Sequence, residues 1–135
     1  MTHVRRSKLA ALLGVLFIVT GLTKLLGLDA VVASFEAWGY SILFRLAIGA
    51  LEVLAGLALL FPVSARAGAL ALIPVMAGAV YTHVFRGTWL LASLIPITVL
   101  LLLAIVAARP YVERSVTTRP RRTRRASRDG VLPAE

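Results

Sequence analysis

Four ionisable side chains, Lys24, Arg45, Glu52 and His83, lie within long apolar stretches of this chain. Glu52 is the deepest, near the middle of the run Ile42 to Phe61 (ILFRLAIGALEVLAGLALLF). A carboxylate at that depth in a bilayer costs roughly 2.5 to 3.5 kcal/mol on insertion scales, so it is expected to face protein and to have a partner. The chemistry on offer is proton holding or relay by the carboxylate, and hydrogen-bond donation by ammonium, guanidinium and imidazole. Lys24, Arg45 and His83 have a plainer alternative. The first two could snorkel to the membrane surface and His83 could cap a helix end, whereas Glu52 has no short way out.

Helical spacing gathers these residues into stripes. Gly14, Phe17, Gly21 and Lys24 share one face of a first helix, and Arg45, Gly49, Glu52 and Gly56 share one face of a second. In a third, Leu72, Met76, Ala79 and His83 align, with Thr82 beside them. Glycines next to charged positions let helix backbones approach closely, so the stripes are expected to face one another. Arg45 and Glu52 are two turns apart, about 10 Å, too far for a direct pair within the helix. Lys24, at intermediate depth on the neighbouring helix, is the better partner for Glu52.

The elements that must position these groups are membrane helices. Of 135 residues, 59% are hydrophobic, in four blocks at 9–28, 42–61, 67–85 and 89–108. Each is long enough at about 1.5 Å per residue to cross a hydrocarbon core of about 30 Å. The expected fold is all-α, a polytopic membrane protein with a four-transmembrane-helix antiparallel bundle over residues 9–109. A basic cytoplasmic N-terminus (1–8) precedes it and a disordered, Arg-rich cytoplasmic tail (110–135) follows. Arg5, Arg6, Lys8, Arg66, Arg109 and the tail arginines Arg114, Arg119, Arg121, Arg122, Arg124, Arg125 and Arg128 fall on one side, 12 of the 15 basic residues. That asymmetry puts both termini in the cytoplasm. The first apolar run is too long, and holds Lys24, for a cleaved signal peptide; a retained helix fits better. Arg outnumbers Lys 13 to 2, a bias of GC-rich coding that points to a bacterial inner membrane.

Between the first two long runs, DAVVASFEAWGYS places Val31, Val32, Phe35 and Trp38 on one face of a short interfacial helix, a lid over the bundle. Pro74 and Pro96 fall inside the third and fourth helices and are read as local kinks. Seven of the ten aromatic residues gather toward the lid side. They form an interfacial belt or the walls of a pocket, in which Trp38, Phe44 and Tyr81 would surround Lys24, Arg45, Glu52 and His83. From Arg114 onward the tail contains no aromatic residue to stack on bases, so lipid rather than nucleic acid is the expected partner. With no cysteine, and with His3 and His83 at opposite ends, no metal site, Fe–S cluster or bis-histidine haem is expected.

The basic lead into GVLFIVTGLTKLLG, the segment FEAWGYSILFRLAIGALEVLAGLALLFP and MAGAVYTH together resemble the DoxX and DoxX-like family of small four-helix membrane proteins. The resemblance covers about residues 5–109. It implies the four-helix fold and a link to membrane oxidoreductases, and it assigns no catalytic residue. The expected function is binding of a lipophilic small molecule, with a quinone as candidate and no covalent cofactor, or support of a membrane redox complex as an accessory subunit. A small proton-linked carrier using Glu52, and a scaffold without ligand, are the competing readings. Oligomeric state is open.

Overall fold

The computed structural model describes residues 2–86 and 90–108, with side chains from 8 to 86 and from 92 to 108. Among these the chain is helical throughout, with α1 Thr2–Leu26, α2 Asp29–Ala37, α3 Ile42–Leu60, α4 Ala65–Phe85 and α5 Leu90–Ala107. The stretches Lys8–Leu26, Ile42–Leu60 and Ala65–Phe85 are long and apolar enough to cross a membrane. The 18 residues of α5 carry no charged side chain and form the fourth apolar rod. The disorder expected of residues 110–135 lies outside the described residues.

Three boundaries differ from the hydropathy reading by two residues or more, one of them the end of α1, at Leu26 rather than Leu28. α1 starts at Thr2 rather than Leu9, because its basic first turns keep helical backbone geometry although they are not apolar. α4 starts at Ala65, so Arg66 is helical. Hydropathy marks the length a bilayer can cover, whereas backbone hydrogen bonds decide where a helix ends.

Chain-order neighbours pack against each other: α1 on α3, α3 on α4, α4 on α5, while α1 and α5 meet only marginally. The α1–α3 seam is the tightest. A Cβ added at Gly14 would lie 2.7 Å from the Gly56 carbonyl oxygen, and one at Gly56 would lie 2.8 Å from that of Gly14. Gly21 and Gly49 repeat the reciprocal contact at 2.7 and 2.9 Å. Seven residues separate the two contacts on each helix, running in opposite directions, which is the antiparallel seam that the facing stripes predict. Gly68 of α4 sits against the Ala55 carbonyl of α3 in the same manner, 2.6 Å from where its Cβ would be.

The apolar core occupies the end at which α1 begins and α5 finishes. Ala10, Leu13 and Phe17 of α1 meet Ala55 and Leu59 of α3, Ala65, Ala69 and Leu72 of α4, and Leu103, Val106 and Ala107 of α5. At the other end the short α2 lies between α1 and α3, as the lid reading expects, with Phe35 buried, Val31, Val32 and Trp38 half-buried, and Asp29 and Glu36 exposed. Gly27 (φ 70°) and Gly39 (φ 75°) bracket it in the left-handed conformation. Each closes the preceding helix through a Schellman-type bond, Leu28 N–H to Thr23 O (3.2 Å) and Tyr40 N–H to Phe35 O (2.9 Å). The Ser41 hydroxyl then caps α3 by accepting from the Phe44 N–H at 3.2 Å.

Candidate functional site

The direction of each side chain follows from the antiparallel seam. On a helix the Cα–Cβ bonds tilt toward the N-terminus. Lys24, near the C-terminus of α1, is therefore aimed down into the bundle, and Glu52, on the descending α3, is aimed up toward it. Lys24 Nζ donates to Glu52 Oε2 at 2.7 Å, with the two side chains 17% and 3% exposed. A second Lys24 N–H reaches the Thr20 carbonyl at 3.3 Å. An ammonium has three donors, so one remains for a further acceptor.

Arg45, also tilted up along α3, reaches the C-terminal end of α1 and donates through Nη1 to the Lys24 carbonyl oxygen. That carbonyl belongs to the last turn of α1, where the backbone leaves acceptors without intrahelical partners and where the helix dipole favours a cation. The guanidinium lies close against Gly27: a Cβ there would be 3.5 Å from its Nη1. Arg45 is buried and borders a small hollow of about 50 Å³ beside Val32 and Glu36.

Under α2, between α3 and α4, lies a cavity of about 720 Å³. Lys24 and Glu52 form its polar floor. Its walls are Phe35 and Trp38 of the lid, Phe44, Ile48 and Leu51 of α3, and Pro74, Val75, Met76, Gly78 and Ala79 of α4. Tyr40, Thr82 and His83 make a second polar group nearer the lid. The Thr82 hydroxyl donates to the Gly78 carbonyl at 2.9 Å, so in the 2.7 Å contact between Tyr40 and Thr82 the tyrosine is the donor. That bond and an edge-on contact of the Trp38 and His83 rings, 5.3 Å between centroids, fasten the lid to α4. Phe35, Tyr40 and Phe44 stack around the lid's base, with centroids 4.8 to 6.5 Å apart.

Of the residues expected to line a pocket, Lys24, Glu52, His83, Trp38 and Phe44 do. Arg45 does not, because α3 carries it toward the end of α1 and away from the cavity. Tyr81 does not either. It is one position from Thr82, so 100° round the helix it points outward, exposed and stacked on Phe85 at 4.6 Å. The Tyr40–Thr82 pair has no local signal in the sequence, because its members are 42 residues apart. No group of three or more metal-ligating side chains occurs among the described residues.

No curated protein and no solved structure matches the chain. The family model described as the DoxX-like family does, over residues 8–107. That interval takes in the α1–α3 seam, the lid, the ion pair and the cavity. The chain belongs to the DoxX-like family of membrane proteins.

Proposed function

We propose that this multi-pass membrane protein binds a lipophilic small molecule in the cavity beneath α2, and that a quinone is a suitable occupant. The observation that carries the reading is the roughly 720 Å³ space with an ion pair at its floor and aromatic and aliphatic walls. Small-molecule sites run from about 300 to 1,000 Å³, with mostly apolar linings and a few polar groups that orient the ligand. Quinone carbonyls accept hydrogen bonds, and the unused Lys24 N–H is a donor at the floor. A redox role would then be carried by the quinone and a partner oxidoreductase. The protein itself would hold, orient and release the molecule.

Trp38 in the cavity wall supplies the test. With Trp89 replaced by Phe, Trp38 is the sole tryptophan of the chain. Titrating a short-chain benzoquinone into the protein in lipid nanodiscs should quench it saturably, and the paired change Lys24→Met with Glu52→Gln should weaken that binding at least tenfold. Linear, non-saturating quenching in both proteins would mean simple partitioning into lipid. It would leave the scaffold reading ahead.

We further propose a bacterial inner-membrane location with both termini in the cytoplasm, on the charge asymmetry of the sequence. Single cysteines at Ser34 and Ser127 report it in this cysteine-free chain. Impermeant reagent applied to spheroplasts should label Ser34→Cys and spare Ser127→Cys; the reverse pattern would invert the topology.

A further inference from the structure

The charge balance of the cavity and the side on which it opens restrict the ligand further, given the binding reading above. Lys24 and Glu52 already neutralise each other at 2.7 Å. Arg45, the next nearest charge on α3, is committed to the end of α1 and absent from the cavity wall. A charged head group brought to this floor would therefore leave one charge without a counterion in a poorly hydrated space, where an unpaired ion is costly. A hydroxyl, ketone or amide meets no such penalty. It can accept the free Lys24 N–H and, where it has a hydrogen, donate to a remaining lone pair of the carboxylate.

The walls indicate where the rest of the ligand goes. Phe44 and Leu51 on α3, and Pro74 and Gly78 on α4, line the cavity and are exposed rather than sealed behind a further layer of protein, so the cavity is open between these two helices. All four belong to stretches long and apolar enough to cross a membrane. The cavity is therefore open on a side that faces hydrocarbon. α3 and α4 touch at Ala55 and Gly68, toward the other end, and the cavity separates them from there to the lid. Among the described residues α5 contributes nothing to this wall.

We propose that the site takes neutral single-chain amphiphiles directly from the bilayer, with an uncharged polar head at the Lys24–Glu52 pair and the chain leaving between α3 and α4. Negatively charged amphiphiles of the same chain length are discriminated against by the neutrality of the pair.

The full chain in phosphatidylcholine nanodiscs is exposed to three diazirine probes: a hexadecanoyl monoglyceride, the matching ionised fatty acid, and a butanoyl monoglyceride. Crosslinks are mapped by peptide mass spectrometry. Gly78→Phe is the blocking variant, because a Cβ at Gly78 meets no atom within 4 Å and the ring can fill the cavity without moving backbone. Leu51→Trp on the facing wall is an independent second block. The long neutral probe should label the walls around Phe44 to Leu51 and Val75 to Ala79 saturably, at least tenfold more than the fatty acid or the short ester, and each block should abolish this. Equal labelling by the fatty acid overturns the selection for a neutral head, and equal labelling by the short ester overturns the route from the bilayer; both leave a ligand cavity in place. Labelling that neither block reduces, or none by any probe, overturns this proposal and the ligand-binding reading together.

Discussion

At the end of the bundle where α1 begins and α5 finishes, Leu13, Leu59, Leu72, Leu103 and Val106 are buried between four helices. At the α2 end the buried side chains include Arg45, Glu52, Thr82 and Ser93, and α3 and α4 stand apart around a cavity. Every buried polar or charged side chain among the described residues belongs to this second half. In a bilayer, apolar side chains gain little by leaving lipid for protein, so helix association rests on close van der Waals contact and on polar bonds between helices. One end uses the first device, through Gly14, Gly56 and Gly68. The other adds the second to the Gly21–Gly49 contact of the same seam, through Lys24–Glu52, Arg45 and Tyr40–Thr82, and tolerates empty space between α3 and α4 because directed bonds hold its elements together.

The largest effect is expected where a directed bond is cut on one side only. Glu52→Gln removes the counterion of a buried ammonium and should cost about 3 to 5 kcal/mol of stability. Adding Lys24→Met should recover much of it, since neither charge is then left alone. A double-mutant cycle read by thermal unfolding in detergent checks this. Additive losses would mean that the two side chains do not interact energetically.

Next in size is the seam at the packed end. Gly56→Leu forces a branched side chain against the Gly14 backbone and Ile18. Overpacking of this kind costs about 1 to 3 kcal/mol. Circular dichroism melts should show the loss, and ligand occupancy at the other end should change less than stability does. The smallest effect is expected from Tyr40→Phe, which removes one neutral hydrogen bond between lid and α4, about 0.5 to 1.5 kcal/mol. Its clearer readout is faster hydrogen exchange at the backbone amides of α2. Unchanged exchange would mean that the lid is held by ring packing alone.

The sequence makes the seam readable because glycine and charge recur at helical spacing on two helices, and both stripes meet as their periodicity requires. The lid is readable from the apolar face of Val31, Val32, Phe35 and Trp38, and the Lys24–Glu52 pair from depth alone. Arg45 shows what depth leaves out. It has the right level and the right stripe for the cavity, but its side chain rises along α3 to a carbonyl that α1 exposes by ending at Leu26, and that ending is a matter of backbone at Gly27. Lys24 shows the converse: near the membrane surface it could snorkel outward, yet the tilt of Cα–Cβ bonds on α1 sends it inward. Tyr40–Thr82 joins a turn to a helix far along the chain, and no periodicity announces such a contact. Hydropathy likewise locates the apolar part of α1 but not the helical turns before Lys8.

The contrast between a sealed end and a hollow end is tested most directly by placing the same side chain in both. Gly14 and Gly78 each lie within a helix, but a Cβ at Gly14 would meet the Gly56 carbonyl at 2.7 Å, whereas one at Gly78 meets nothing within 4 Å. Thermal melts of Gly14→Leu and Gly78→Leu, made in the same lipid, should separate widely. Gly14→Leu should melt well below the parent protein, and Gly78→Leu should melt at or above it. Equal destabilisation of the two variants would contradict the division of the bundle into a packed half and a hollow one.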